Sequence, residues 1–407
     1  STFYLYRQNP RLFPSFWGPL WARAQLALLP RPKNLPAGPT VLLARAPDGL
    51  LEPEIARALT VLGRPVTEIP ANTSLPAIAN ALCADKPALF LCVNGAGLDD
   101  DGLAFSLLEA AGVPVAVWFV DNPFHVLTRF RGPFWKKARL FVTDEAFCQP
   151  LRELGAGHVG HLPLAASDHF FRAQPEAGLA GQAVFVGRSA FAGRDAFFAG
   201  CRVPEALADE ARVLLAQGKR PDYTWWKVRL GLESGALWPG KAARLAGCGA
   251  EAAGLVLRTG VLAALAGTIP LTVYGDAAWK VLLPEGIALR GPVDYYGRLP
   301  GIYAGAGLIV AVTSLLLPRG LSQRHFDVWA AGGCLVTDAT PGLDLFPAKL
   351  TAPLTYATPR EAATRAKTLL DSPGLRTELA ATWKALISAG HCYEHRVAML
   401  LDRALAG

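Results

Sequence analysis

Short, uninterrupted apolar runs that alternate with helical segments constrain the fold of this chain more than any other feature. The runs lack the apolar–polar alternation of a strand with one face in water, so both faces of the predicted sheets must be covered. Glycine, proline and polar residues separate them from segments with helical periodicity. The predicted strands are residues 41–44, 88–93, 113–120, 140–143, 183–186, 271–274, 287–289, 308–312 and 334–337. This pattern predicts α/β domains with parallel sheets.

The pattern relaxes around residues 155–173, which are rich in Gly, Ala and His. A chain of 407 residues is too long for one typical core, so we place an interdomain connection there. We predict an N-terminal Rossmann-like domain over residues 1–165, a C-terminal one over 166–389, and a helix over 390–407 that crosses back to the first. The two doubly wound domains are expected to face a central cleft. The segment 218–240, with three tryptophans, is predicted to be a loop.

The composition favours an ordered, soluble protein. Hydrophobic residues make up 52% and charged residues 18%, and the net charge of +7 is spread without a basic block. This argues against a nucleic-acid partner and suits a basic cleft for phosphorylated ligands. The longest apolar runs, 252–269 and 301–318, contain polar residues, so we predict no transmembrane segment and leave a peripheral membrane contact open. Seven scattered cysteines without C-x-x-C, and no recognisable secretory signal, indicate a cytoplasmic protein.

Residues 321–338 give the strongest functional signal, because they combine a short helix, a Gly-Gly stop and a buried strand. Polar residues crowd the first turn of this helix, where free backbone N–H groups favour an anion. Arg324 adds a permanent cation suited to phosphate, and Asp327, one turn further on, could hold ribose hydroxyls. The segment therefore suits a nucleotide that carries a leaving group.

Glycine or polar residues also follow other strands of the second half, where open parallel sheets bind their ligands. Each such turn could be an ordinary strand-to-helix connection, but several together favour a nucleotide site. Gly187 and Gly275 would let backbone approach a ligand closely, Arg188 could pair with phosphate, and Tyr274 could contact a base. The candidate binding residues are Gly187, Arg188, Tyr274, Gly275, Ser322, Gln323, Arg324 and Asp327.

In the first half, Asp121 directly follows a predicted strand. Its carboxylate could act as a general base on an acceptor hydroxyl, with Asn122 or His125 orienting the substrate. The same turn equally suits a helix N-cap ahead of Pro123, and the sequence leaves both interpretations open.

Familiar alternatives lack their motifs. No complete dinucleotide glycine fingerprint follows a strand, and neither a kinase-type phosphate loop nor a G-x-S-x-G elbow is present. The His and Cys spacing predicts no metal site.

Five segments together resemble the CgeB-type (spore-maturation) glycosyltransferases, within the GT-B group. They are residues 119–123, 186–188, 273–276 with Trp279, 320–338 followed by 343–346, and 391–396. The resemblance implies metal-independent and cofactor-free transfer from a nucleotide diphosphate sugar, with UDP the first choice, bound by the C-terminal domain through the residues above. Arg319 and Asp327 stand where many retaining relatives carry glutamates, so stereochemistry stays open, and a base at Asp121 would suit inversion.

The sequence therefore predicts a bacterial, cytoplasmic glycosyltransferase with Asp121 and Arg324 as candidate catalytic residues. The acceptor would be a hydroxyl on a surface glycan, a lipid-linked precursor or a protein such as flagellin. Two alternatives stay open: a nucleotide-sugar epimerase of the same architecture, and a catalytically inactive glycan-binding or scaffold protein.

Overall fold

The computed structural model describes residues 14–28, 38–47, 49–73, 75–84, 86–232 and 237–406. The chain forms two compact units. The first comprises residues 1–163, 236–240 and 393–407, and the second comprises 164–235 and 241–392. The chain thus passes between units at 163/164 and 392/393, whereas the sequence placed these divisions at 165/166 and 389/390, and the short segment 236–240 also falls in the first unit.

The first unit is built on a fully parallel sheet of six strands in the order β2-β1-β3-β4-β5-β6. The strands are β1 Val41–Arg45, β2 Val66–Pro70, β3 Leu89–Val93, β4 Val115–Phe119, β5 Arg139–Val142 and β6 His158–His161. The helices before the second unit are α1 Pro14–Leu28, α2 Glu52–Val61, α3 Leu75–Ala84, α4 Leu103–Ala110, α5 Pro123–Leu127 and α6 Cys148–Glu153. Strands β2 and β6 were not predicted, because each is a sheet edge with exposed or half-buried side chains instead of an apolar run.

The second unit contains another parallel sheet of six strands, in the order β12-β11-β10-β7-β8-β9. Its strands are β7 Ala183–Val186, β8 Leu271–Tyr274, β9 Ala288–Arg290, β10 Leu308–Ala311, β11 Leu335–Asp338 and β12 Thr355–Tyr356. Its helices are α7 Arg194–Phe197, α8 Glu205–Ala216, α9 Tyr223–Arg229, α10 Lys241–Ala266, α11 Trp279–Leu282, α12 Leu299–Gly305, α13 Arg324–Ala330, α14 Ala348–Thr351, α15 Pro359–Leu370 and α16 Pro373–Gly390. The last helix, α17 Tyr393–Leu405, belongs to the first unit and packs on α2.

Short 3-10 helices complete the chain. They are Pro133–Lys137, Glu145–Phe147, Asp168–Arg172, Pro341–Leu345 and Ala352–Leu354. The prediction of two Rossmann-like parallel-sheet domains is confirmed.

The strand order of the second unit creates a switch point between β7 and β10. From β7 the chain builds β8 and β9 on one side, and it then returns to place β10 on the other. At such a point the connecting segments leave the two neighbouring strands toward opposite sides of the sheet. This leaves a crevice beyond the carboxyl ends of the two strands. The ends of β7 and β10 are therefore the expected ligand site of this sheet.

Two helices of the second unit, α10 and α9, bear on the predictions made for their segments. Among the described residues, α10 is the one helix long and apolar enough to cross a membrane by length and composition, but half of its most apolar window is buried in the protein. It packs on α15 and carries the buried Glu251, which places it in the protein core. Helix α9 corrects the loop predicted over 218–240: the Asp222 side chain caps it through the N–H groups of Thr224 and Trp225, and Trp226 is buried.

Candidate nucleotide site and acceptor-side turn

Side chains from three helices hold the connection after β7, residues 186–189, which we call the β7 turn. The backbone carbonyls of Val186, Gly187 and Arg188 each accept a hydrogen bond from a side-chain N–H group. The donors, in that order, are Arg324 Nη2, Trp279 Nε1 at 2.9 Å and Arg258 Nη1 at 3.3 Å. The partial negative charge of these three oxygens is thus directed at protein donors.

The N–H groups of the β7 turn have different partners. Gly187 N donates to the Tyr274 carbonyl at 2.9 Å, and Ser189 N donates to Asp276 Oδ2 at 2.6 Å. In the part of the chain that the structure describes, the N–H of Arg188 has no hydrogen-bond partner, and its side chain is exposed. One residue therefore offers an anion both a backbone donor and a cationic fork at the end of β7.

Asp276 fixes the far end of the β7 turn. Its carboxylate accepts hydrogen bonds from Ser189 N, from Ser189 Oγ at 2.8 Å and from Ala278 N at 3.1 Å. Desolvation by burial would raise the pKa of Asp276, but these hydrogen bonds outweigh it and hold the pKa below its usual value. The ionised carboxylate thereby keeps the turn anchored.

Two predicted glycines lie in crowded surroundings at the ends of β7 and β8. A Cβ atom on Gly275 would lie 2.3 Å from the Gly187 carbonyl oxygen and 2.5 Å from Trp279 Nε1. A Cβ atom on Gly187 would lie 3.0 Å from the Phe185 ring and 3.5 Å from Arg324 Nη2. Gly275 thus allows the backbones after β7 and β8 to approach closely, and Gly187 leaves room for the Phe185 ring and the Arg324 guanidinium.

Arg324 lies behind the β7 turn. Its guanidinium is 5.4 Å from the centre of the Phe185 ring and donates to Val186 O, while its Nε is buried without a partner among the described residues. The side chain is half-buried, so the cation faces the end of β7 instead of open solvent. It adds positive charge next to Gly187.

Two predicted ligand contacts are corrected because protein groups occupy them. Asp327 is 1% exposed, and its carboxylate accepts from Ser167 N at 3.1 Å, Tyr295 Oη at 2.7 Å and Gln323 Nε2 at 3.2 Å. It therefore holds protein segments together and is not open to ribose hydroxyls. Tyr274 is 2% exposed with the Arg298 guanidinium over its ring, so it is not available to stack on a base.

The residues before α13 also differ from their predicted role. Ser322 N donates to Nδ1 of buried His325 at 3.1 Å, and Gln323 Nε2 donates to the Ala165 carbonyl at 2.6 Å. His325 Nε2 contacts Thr337 Oγ1 at 2.8 Å. Burial lowers the pKa of His325 to about 4, an effect that Arg324 reinforces and Asp338 opposes. The first turn of α13 is thus bonded internally.

An ionic network missed by the sequence predictions lies at the ends of β10 and β11. Buried Asp338 accepts from Thr313 N at 2.7 Å and Thr313 Oγ1 at 2.6 Å, and Arg220 Nη1 donates to the same carboxylate. Arg220 Nη2 also donates to Thr313 Oγ1 at 2.9 Å. Thr313 and Asp338 stand recognisably after apolar runs, but Arg220 comes from a distant loop and had no local signal.

In the first unit, Asn94 organises the turn after β4. Asn94 Nδ2 donates to Asp121 Oδ2 at 2.7 Å, and Asn94 Oδ1 accepts from Val120 N at 3.0 Å. The N-cap of α5 is Asn122, whose side-chain oxygen accepts from Phe124 N at 3.0 Å. Asp121 is therefore not the cap residue, and its exposed side chain is oriented by Asn94.

Desolvation by the surrounding protein atoms raises the pKa of Asp121, and the hydrogen bond from Asn94 opposes this effect. A carboxylate with a raised pKa is a stronger base, which suits proton abstraction. His125 follows in α5 and is half-buried. Among the described residues, no group of three or more His, Cys, Asp or Glu side chains is placed to hold a metal ion.

Comparisons with known proteins identify the fold. Residues 258–402 match a family described as glycosyl transferase-like. No curated protein matches the chain by sequence.

Three solved structures share the architecture over most of their length. A glycosyltransferase from Rickettsia africae matches with a TM-score of 0.53 at 10% identity, over 89% of this chain and 97% of the other. The DNA-modifying enzyme beta-glucosyltransferase, determined with and without uridine diphosphoglucose, matches at 0.52 and 8%, over 90% and 99%. Anabaena HepE in complex with UDP matches at 0.52 and 11%, over 89% and 98%.

At such low identity the structural likeness establishes the fold alone. The matched family segment, residues 258–402, includes the ends of β8, β10 and β11 and the whole of α13. The chain therefore has the GT-B fold, and its residues 258–402 match a glycosyl transferase-like family.

Proposed function

We propose that this protein is a CgeB-type glycosyltransferase that moves a sugar from a nucleotide diphosphate sugar to a hydroxyl acceptor, without metal or other cofactor, in the cytoplasm. The observation that carries the proposal is the β7 turn. This turn follows a strand at the switch point of the second sheet. Its three carbonyls accept hydrogen bonds from protein donors, and the N–H and exposed side chain of Arg188 can reach an anion.

The chemistry of sugar transfer explains why such a turn would be useful. Breaking the bond between the sugar and the diphosphate of the donor leaves additional negative charge on the departing diphosphate, and hydrogen-bond donors aimed at that charge lower the barrier. The Arg188 N–H and guanidinium would contact the phosphates, and Arg324 would add charge from behind the turn. Because HepE and beta-glucosyltransferase have been determined with UDP and uridine diphosphoglucose, UDP is the first choice of nucleotide.

On the acceptor side we assign the base to Asp121, positioned by Asn94. Its raised pKa favours taking a proton from an acceptor hydroxyl, which would support single displacement with inversion. Asn122 and His125 stay proposed acceptor-side residues, although the Asn122 side chain also caps α5.

Nucleotide binding gives the first test. Thermal shift and calorimetry with UDP, GDP, dTDP and CMP should select one of the three diphosphates, since a ligand present at a hundred times its Kd adds about 2.7 kcal/mol to stability. Arg188→Gln should weaken that binding, whereas Arg212→Gln, an exposed α8 arginine paired with Asp209, should not. Failure of every nucleotide to bind would refute the proposal.

Turnover separates transfer from its rivals. The selected sugar nucleotide should be consumed faster when hydroxyl acceptors are present, and Asp121→Asn should abolish that acceleration while donor binding persists. Donor converted to an isomeric sugar nucleotide without acceptor would identify an epimerase. Normal biological function of an Arg188→Gln and Asp121→Asn double variant would identify a non-catalytic glycan-binding role.

A further inference from the structure

A partly buried ion pair in the helix α10 is connected to the β7 turn. Glu251 and Arg258 are seven residues apart, which places them two turns apart on one helix face. Glu251 is 6% exposed, the Arg258 side chain is 16% exposed, and Arg258 Nη2 lies 3.1 Å from Glu251 Oε1. Burying a charged side chain costs free energy unless the charge is paired and hydrogen-bonded, and Glu251 and Arg258 meet that condition by pairing with each other.

Arg258 makes a second contact through its other terminal nitrogen. Nη1 donates to the Arg188 carbonyl at 3.3 Å, while Ser189 N, at the other end of the same peptide, donates to Asp276. The 188–189 peptide is thus fixed on both sides by charged groups. Glu251 in turn fixes the guanidinium that binds the carbonyl.

In the preceding peptide, between Gly187 and Arg188, only the carbonyl group is held by a described protein donor. The C=O and N–H groups of a trans peptide point in opposite directions. Since the Gly187 carbonyl is bound by Trp279 Nε1 at 2.9 Å, the N–H of Arg188 points the opposite way, where the described residues provide no partner. Without the hydrogen bond from Arg258 to the Arg188 carbonyl, the 187–188 and 188–189 peptides could both rotate. A carbonyl oxygen could then point to the ligand in place of the Arg188 N–H.

We propose that Arg258, anchored by Glu251, is a positioning residue for the donor diphosphate, an inference that rests on the proposed function. By holding the Arg188 carbonyl toward α10, it keeps the Arg188 N–H and guanidinium directed at the phosphates. Neither Arg258 nor Glu251 contacts the ligand in this arrangement. The effect should therefore concern the diphosphate and not the nucleoside.

The test compares a nucleoside diphosphate with its parent nucleoside by calorimetry. The pair is whichever of UDP, GDP or dTDP the wild-type protein binds most tightly. The double variant Glu251→Gln with Arg258→Gln removes both charges, so that no unpaired charge stays buried. We expect it to lose about tenfold in affinity for the diphosphate, as expected when a hydrogen bond to a charged group is lost, with no loss for the nucleoside.

Three further variants keep the result interpretable. Arg258→Lys should bind the diphosphate more tightly than the double variant does, because its ammonium can still reach either Glu251 Oε1 or the Arg188 carbonyl oxygen. Arg212→Gln should bind the diphosphate as the wild type does. If the double variant does not fold, Glu251→Gln alone, which frees Arg258 from its anchor, should show a smaller loss with the same selectivity.

Three outcomes contradict the inference. A folded double variant with wild-type affinity for the diphosphate would overturn it while leaving the proposed function standing. Equal losses for nucleoside and diphosphate would show that the pair only stabilises the fold. A wild-type protein that binds no nucleoside diphosphate would refute the proposed function and this inference together.

Discussion

Acidification should destabilise the second unit through His325. The imidazole is 1% exposed, accepts at Nδ1 from Ser322 N, and has a pKa lowered from 6.5 to about 4. A lowered histidine pKa means that the unfolded chain binds the proton first. The stability contributed by neutral His325 is therefore complete above pH 6.5 and is lost as the pH falls from there towards 4. With these values, linkage gives a loss of about 2 kcal/mol between pH 7 and pH 5.

Urea unfolding followed by tryptophan fluorescence at pH 7, 6 and 5 measures this loss. His325→Gln cannot titrate, so its free energy of unfolding should fall by about 2 kcal/mol less than that of the wild type over the same interval. The matched control is His158→Gln, an exposed position in β6, which should keep the wild-type pH dependence. Equal pH dependence in the wild type and His325→Gln would refute the assignment of a neutral, buried imidazole.

Two other predictions concern the β7 turn and its surroundings. Gly275→Ala would place a methyl group 2.3 Å from the Gly187 carbonyl oxygen, so it should destabilise the protein by about 1–3 kcal/mol and weaken nucleotide binding. The control is Gly286→Ala, where the added methyl group would be remote from other atoms but the backbone has a positive φ. It should lower stability without affecting nucleotide binding. Asp276, with its lowered pKa, contributes stability above its unfolded pKa that is lost as pH falls through the folded value; thermal unfolding below about pH 4 should show this loss in the wild type and not in Asp276→Asn.

Periodicity was sufficient for the centre of each sheet. Strands such as β3, β4 and β10 are completely buried, so their sequences consist of apolar residues and could be recognised without a structure. The edge strand β2 was missed for the opposite reason, because most of its side chains are exposed or half-buried and its sequence reads as a loop, whereas the edge strand β9 was predicted. Helix α9 was missed because the segment 218–240 was predicted to be a loop, although Asp222 is a recognisable cap.

Site residues on strand ends could be identified from sequence, but their roles could not. Gly187, Arg188 and Asp121 follow apolar runs, which is a local signal. Tyr274, at the end of β8, and Asp327, in the first turns of α13, were also predicted to contact the ligand from local signals, yet protein partners bury both of them. Whether a polar side chain meets a ligand or another segment depends on residues far away in the chain, such as Ser167 and Arg298.

The order of apolar runs, glycines and helix caps by itself determined that this chain forms two parallel-sheet domains, since burial on both faces leaves a direct mark on composition. Only the tertiary structure decided which groups meet at the β7 turn. Arg258, Trp279 and Arg324 converge there from three different helices. Hydrogen-bond partners separated by scores of residues are set by packing, and no local pattern in the sequence records them.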